Sequence, residues 1–366
     1  MLKYLLPVAM PVLLFSATAG AEERPRPVRV GVVGLVHTHV HGILGRGDRG
    51  DIEVVGIAEP NTELARRYAD QHGFSMDIVY PTIEEMLQKS KPEAVAAFNT
   101  IHGHLEVVRA CAPRNIHVMV EKPLAVNLAH GREMATLARE HNILLLTNYE
   151  TTWYASNAEA YRLARDSALG PLRKIVVHDG HSGPREIGVN EEFLEWLVDP
   201  KLNGGGAITD FGCYGANLIT QLMGNKRPLS VTAVTQQIKP EVYPHVDDEA
   251  TILLQYPQTQ GIIQASWNWP FNRKDMEVYG KTGYVICVDG TRMRVRLAGE
   301  AEEQQFTAPN IAPPANDPFA LLAAAVRKSI TISPSDLSSL ENNLIVMEIL
   351  EAAKQSAASG KTVELD

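Results

Sequence analysis

Between Val28 and about Thr147 the chain alternates short β-branched runs with amphipathic stretches, and this alternation limits the possible folds more than any other feature. Such a rhythm is how a parallel βαβ sheet reads, because parallel neighbours need a helical crossover between them. Strands are expected at Val28–Val33, Glu53–Ala58, Ala94–Phe98, His117–Val120 and Ile143–Leu146. Between them, Asn61–Gln71 carries Leu64, Ala65 and Tyr68 at helical spacing. Thr82-Ile83-Glu84-Glu85 reads as a capping box, in which hydroxyl and carboxylate satisfy free amides at each other's ends of the first turn. After about Asn148 the rhythm changes. A helix at Ser156–Asp166 precedes extended runs at Lys174–His178, Ser230–Gln237, Ala250–Tyr256, Gly261–Trp267, Met276–Tyr279, Tyr284–Val288 and Met293–Leu297. Hairpin-like turns between them argue for a mostly antiparallel sheet. One helix, Ala207–Met223, is expected to cross between these parts. A proline-rich connection, Pro309–Pro318, leads to closing helices at Phe319–Ser329 and Leu337–Ser359. The fold class is α/β, with an N-terminal doubly wound parallel sheet (27–147) and a C-terminal α/β domain with an open, mostly antiparallel sheet (148–366).

The chain of 366 residues, 45% hydrophobic, is long enough for two ordinary cores. A net charge of -9 offers no basic stripe for a phosphate backbone, so nucleic acid is not an expected partner. Met1-Leu2-Lys3, an apolar run to Phe15 and small residues from Ser16 to Ala21 read as a cleavable secretory signal over 1–21. Its apolar core is too short for a stable membrane span. Cleavage after Ala21 predicts a periplasmic or secreted chain beginning at Glu22. Cys111, Cys213 and Cys287 are few and scattered, and read as packed thiols.

Gly31-Val32-Val33-Gly34-Leu35-Val36-His37-Thr38-His39 ends a strand and opens a helix, the context of a dinucleotide fingerprint. Gly34 stands where the tight turn is needed, but Val36 and His39 replace the second and third glycines. Glu59, roughly 20 residues on, stands where a carboxylate accepts ribose hydroxyls and repels a 2'-phosphate. NAD is therefore favoured over NADP. The alternative is that Glu59 only caps the turn before Pro60 and Asn61. His37, His39 and His41 follow the first strand, and His102 and His104 follow the Ala94–Phe98 strand. If those strands are neighbours, the histidines share a cleft. Polar cleft lining is the leading reading and no metal is expected, because Glu106 is the one evident carboxylate beside them.

Gly34, Ala58-Glu59-Pro60-Asn61, the Asn99–His104 loop, Glu121-Lys122-Pro123, Gly204–Tyr214, Val246-Asp247-Asp248 and Gly280-Lys281-Thr282-Gly283 follow one another in an order and spacing that resemble the glucose-fructose oxidoreductase / inositol dehydrogenase / MocA (Gfo/Idh/MocA) family. The resemblance implies an N-terminal Rossmann domain and a C-terminal domain whose open sheet makes a homo-oligomer interface. It also implies NAD(P)-dependent oxidation or reduction of a sugar, polyol or sugar derivative. By it Lys122, Asp210 and Tyr214 are the catalytic residues. Gly34, Val36, His37, Glu59, Asn99, His104, Glu121 and Lys122 are the cofactor-binding ones. Tyr214 stands where many relatives place histidine. The proline after Lys122 is expected to shape its loop through a cis bond.

An alcohol must lose its hydroxyl proton as hydride leaves, and a phenol of pKa about 10 is a poor base unless a neighbouring ammonium lowers it. Lys122 is expected to lower it. Asp210 and Tyr214, four apart in one helical turn, are expected to project to one side, with the glycine-rich entry leaving amides free for substrate oxygens. The plain alternative makes Tyr214 a core aromatic, Asp210 an N-cap and Lys122 solvated. Two further readings stay open: a glycosidase or lyase using the same pocket, and a sugar-binding relative without turnover. Trp267, Trp269 and Phe271 read as core or an oligomer face before a sugar-stacking platform.

Overall fold

The computed structural model describes residues 26–365, so the expected signal segment lies outside the described residues. The first sheet has six strands, Val28–Val33 (β1), Ile52–Ala58 (β2), Val79–Tyr80 (β3), Ala94–Ala97 (β4), His117–Glu121 (β5) and Leu145–Asn148 (β6). All pair in parallel, in the order β3-β2-β1-β4-β5-β6. The chain thus reverses direction of travel across the sheet beside β1 and β4, the switch point at which doubly wound folds open a crevice. Strands β1 and β4 are neighbours, so the loops after them meet, as the histidine spacing requires. The small side chains Ala94, Ala96 and Ala97 are buried between crossover helices.

The second sheet has nine strands: Leu172–Gly180 (β7), Ser230–Gln236 (β8), Glu249–Gln255 (β9), Gln260–Ser266 (β10), Arg273–Gly280 (β11), Gly283–Cys287 (β12), Arg292–Leu297 (β13), Gln304–Thr307 (β14) and Val363–Glu364 (β15). Their order is β14-β13-β12-β11-β7-β10-β9-β8-β15, and the one parallel pairing is β7 with β10. Helices Gly212–Leu222 and Leu340–Ser359 cover one face. The other face leaves Val234 and Leu253 exposed. The three cysteines are free and buried.

Four local expectations change. The capping box is half made: Thr82 Oγ1 accepts from the Glu85 amide at 3.2 Å, but the Glu85 carboxylate turns to Lys89 at 2.5 Å, one turn on. The helix expected over Ala207–Met223 is two, Ala207–Asp210 and Gly212–Leu222, hinged at Phe211. The break has a cause. The Asp210 carbonyl accepts from Lys122 Nζ at 3.1 Å, while the Tyr214 amide bonds one residue later, to Phe211 O at 3.1 Å. A short helix at Glu191–Leu197 was not expected from the sequence, and it covers the turn after β1. Finally, the Pro318–Val326 helix leaves its own domain: Phe319, Leu322 and Ala323 sit in the same buried cluster as Val28, Val30 and Val32. The first core is completed by a segment assigned by sequence to 148–366.

Candidate active site

The loops after β1 and β5 and the hinged pair of helices close around a cavity of about 1110 Å³ that lies between the two sheets. Lys122, Asp210 and Tyr214 all line it. Lys122 follows the buried end of β5, and its bond to Pro123 is cis. Its Nζ lies 2.5 Å from Asp210 Oδ1. Trp267 Nε1 donates to the other Asp210 oxygen at 3.0 Å, so both carboxylate oxygens are held. Trp267 is therefore a fully buried support for the site, while Phe271, four residues on, is exposed. Burial opposes both charges, yet the partners win: the Asp210 carboxylate holds the Lys122 ammonium above its ordinary value, and Lys122 holds Asp210 below its own. The pair is charged at neutral pH.

Tyr214 corrects the chemistry expected of it. Its ring lies between two ammonium groups, with Lys122 and Lys274 Nζ each 5.0 Å from the centroid. Both cations are engaged elsewhere, Lys122 with Asp210 and Lys274 with Glu150. Burial, then the carboxylates of Asp179 and Glu150, push the phenol well above its ordinary value instead of below it. Tyr214 is a neutral hydroxyl, a proton donor and not a base. His181, also on the wall, is held neutral by burial, and its Nδ1 accepts from the Gly183 amide at 2.9 Å. That bond leaves its proton on Nε2.

The glycine-rich entry also differs. The amides of Gly206 and Ile208 donate to Asp247 Oδ1 and Oδ2 at 2.9 and 2.7 Å, and the Ala207 amide to Asp247 O at 3.0 Å. None of these three is left for substrate. A Cβ on Gly206 would sit 1.8 Å from Asp247 O, so glycine here serves close packing of the entry on Asp247. Asp247 had appeared in the sequence only as part of the family pattern; its spacing from Gly206 carries no signal that would pair them.

At the turn after β1, Gly34 has φ 79° and passes so close to Asn99 that a Cβ would meet it at 2.7 Å. The amides that would cradle a pyrophosphate are largely committed: Leu35 to Glu59 Oε2 at 2.9 Å, His37 to Phe98 O at 2.9 Å, and His39 to His37 Nδ1 at 3.2 Å. The following helix, Val40–Leu44, has five residues and no side-chain cap. Trp196 Nε1 reaches the Val36 carbonyl at 3.4 Å, and Phe193 and Trp196 pack on the His37 ring at 4.8 and 5.6 Å. Glu59 is buried, with its second oxygen accepting from the Asn61 amide at 2.8 Å. In this state it serves as the turn cap that the sequence left as the alternative. His104 is buried too, with Nδ1 on the Leu124 carbonyl at 3.1 Å, and burial brings its pKa down to about 4. The residues thus fit a nicotinamide end, where Lys122 faces the cavity. They do not fit a pyrophosphate while the Glu191–Leu197 helix covers the turn.

The histidine cluster has a carboxylate that the sequence did not pair with it. Glu121, not Glu106, lies against His37 and His39, with His39 Nδ1 2.8 Å and His37 Nε2 4.0 Å from its Oε2. Glu121 closes β5, the strand two places from β1, so only the strand order brings them together.

Two family models match the chain: an oxidoreductase family with an NAD-binding Rossmann fold over residues 28–149, and the GFO/IDH/MocA C-terminal domain over 157–286. Trans-1,2-dihydrobenzene-1,2-diol dehydrogenase of Xenopus tropicalis is 26% identical over 315 residues, 83% of this chain and 90% of that protein. The structure is similar to that of aldose-aldose oxidoreductase from Caulobacter crescentus complexed with glycerol, with a TM-score of 0.79 and 22% identity over 93% of this chain and 100% of that one. It is equally similar to an inositol dehydrogenase homologue from Azotobacter vinelandii complexed with NAD+, with a TM-score of 0.79 and 19% identity over 93% and 98%. At these identities the solved structures establish the fold.

Proposed function

The chain belongs to the GFO/IDH/MocA oxidoreductase family, and we propose that it is an exported NAD-dependent oxidoreductase that acts on a sugar, polyol or related vicinal diol with Lys122, Asp210 and Tyr214 at the reacting carbon. The observation that carries this reading is the buried Lys122–Asp210 pair, set beside the Tyr214 phenol at the wall of a cavity large enough for a monosaccharide. The dehydrogenase and oxidoreductase relatives, with their diol, glycerol and inositol ligands, support the substrate class. NAD, when bound, supplies or takes the hydride; the Glu191–Leu197 helix must yield for its phosphates to seat. The chain's own groups do the rest. The Lys122 ammonium and Tyr214 hydroxyl both donate, so together they stabilise negative charge on a substrate oxygen and deliver a proton to it. Such a site suits carbonyl reduction. In the oxidation direction the proton needs an acceptor; Glu150 is the carboxylate on the cavity wall, although against burial its Lys274 and Tyr154 partners hold it below its ordinary value and so weaken it as a base.

An exported enzyme meets no free nicotinamide pool, so its cofactor is loaded before export and kept through turnover. Assembly through the open face of the second sheet, where Val234 and Leu253 stand exposed, accounts for those side chains. The test is to denature the purified protein and assay released NAD, then to follow NADH against a panel of aldoses, keto-sugars, inositols and dihydrodiols. A protein that carries no NAD, binds none when it is added, and turns over nothing in that panel ends the proposal.

A further inference from the structure

Two of the histidines after β1 are spent neither on the floor of the cavity nor on an amide-bound phosphate, and they meet a buried carboxylate. His37 and Glu121 are each 1% exposed, and His39 lies over them at the cavity wall. One ligand atom from each of the three lies within 4.8 Å of the others. Ligand atoms around a centre with bonds of 2.0–2.2 Å stand about 3 to 3.5 Å apart, so side-chain rotation alone closes the set. The carboxylate is also oriented from behind. Asn148 Nδ2 holds Glu121 Oε1 at 2.8 Å, and Trp153 Nε1 holds Asn148 Oδ1 at 3.0 Å, which leaves Oε2 aimed at the histidines. Supported carboxylates of this kind mark built metal sites.

We propose that His37, His39 and Glu121 form a three-ligand site for a divalent transition metal, zinc first among them, open towards the cavity. Two imidazoles and one carboxylate are the donor set of open divalent sites that keep positions for water or substrate. Adjacent oxygens of a polyol or hydroxy-ketone are the ligands such open positions take. In the metal-free protein His37 carries its proton on Nε2, because Nδ1 accepts the His39 amide. His39 lends its Nδ1 to Glu121. Metal binding moves both ring protons to the opposite nitrogens, releases no proton overall and gives up those two hydrogen bonds. The second histidine-carboxylate group, His178, Asp275 and Glu277, is already satisfied: Arg273 pairs with both oxygens of Asp275 at 2.7 and 2.8 Å.

The test reads metal content and not turnover, so its failure leaves the hydride-transfer reading untouched. The full chain is dialysed against a chelator, equilibrated with Zn²⁺, desalted and assayed by mass spectrometry, and the visible spectrum is recorded with Co²⁺ in its place. One equivalent per chain is expected. His39→Ala, at a half-exposed position that keeps the fold, and Glu121→Gln should each cut retained metal at least tenfold and remove the Co²⁺ bands. Asn148→Ala should weaken binding about 10- to 100-fold through the carboxylate alone. Glu277→Gln and His72→Ala, the latter breaking a second histidine pair with His41, should retain the full equivalent. Protein that returns from desalting without metal overturns the proposal. So does metal that survives Glu121→Gln and His39→Ala, or that is lost in the Glu277 or His72 variant.

Discussion

The glycine turns at Gly34 and at Gly204–Gly206 look alike in sequence, each a bend at the mouth of a helix, and they end in opposite electrostatic states. In both, a carboxylate takes amides that a ligand would otherwise bind, the buried Glu59 at the first and the half-buried Asp247 at the second. What they deliver differs. The second turn presents Asp210 to an ammonium, and the charges close on each other. The first presents two imidazoles to Glu121, a carboxylate that pairs with no lysine or arginine among the described residues. A glycine-rich turn is thus an anion site only after its amides have been counted, and the count depends on residues far away in the chain.

The sharpest way to break the comparison is to open the closed pair. Lys122→Ala leaves Asp210 buried and uncompensated, and is expected to cost about 3–5 kcal/mol in chemical denaturation and about 10²- to 10⁴-fold in kcat/KM. A variant that keeps full turnover removes Lys122 from the chemistry. Asp247→Ala should cost about 3 kcal/mol, because it strips the side-chain acceptor from two amides and unseats the short helix that carries Asp210. Trp267→Phe takes one hydrogen bond from a charged group, about 2 kcal/mol, read by the same denaturation curves.

Acid tests the pair without mutation. Asp210 sits below its ordinary value, so its contribution is complete above the unfolded-state pKa of about 4 and is lost as pH falls through the lower folded value. The gap in stability between the native chain and Asp210→Asn should therefore be constant from pH 7 to 5 and shrink below about 4. The smallest effect belongs to the other turn. Val36→Gly restores a fingerprint glycine, yet the Leu35, His37 and His39 amides stay committed, so the Kd for NAD measured by calorimetry should move less than about threefold. A gain of tenfold or more would make the Val36 side chain, and not the committed amides, the obstacle.

Much of this was legible from local chemistry. The β-branched runs placed the first sheet because a buried parallel strand needs an unbroken apolar stretch, as Ala94–Phe98 has. The family pattern brought Lys122, Asp210 and Tyr214 to one cavity. Their proton states were not legible. The sign at Tyr214 depends on Asp210 claiming Lys122 first and on Asp179 and Glu150 lying behind the ring, facts of burial that no spacing encodes. The hinge at Phe211 escaped for the same reason, since a helix-favouring sequence was interrupted by a bond from Lys122, 88 residues away. The local motif around Glu121 says nothing of its place beside His37 and His39, which follows from strand order.

The helix Pro318–Val326 closes the core that Val28 began, and Arg46 and Glu93 clasp Asp317 and Arg327 at either end of it. A ribosome therefore finishes the first domain's sheet long before it supplies the piece that seals it. Until nearly the whole chain has been made, β1 and β2 lack part of their cover, and a nascent chain of that length is a client for whatever holds polypeptides unfolded in the cell. Nothing shorter than the almost complete chain can lock the dinucleotide domain shut.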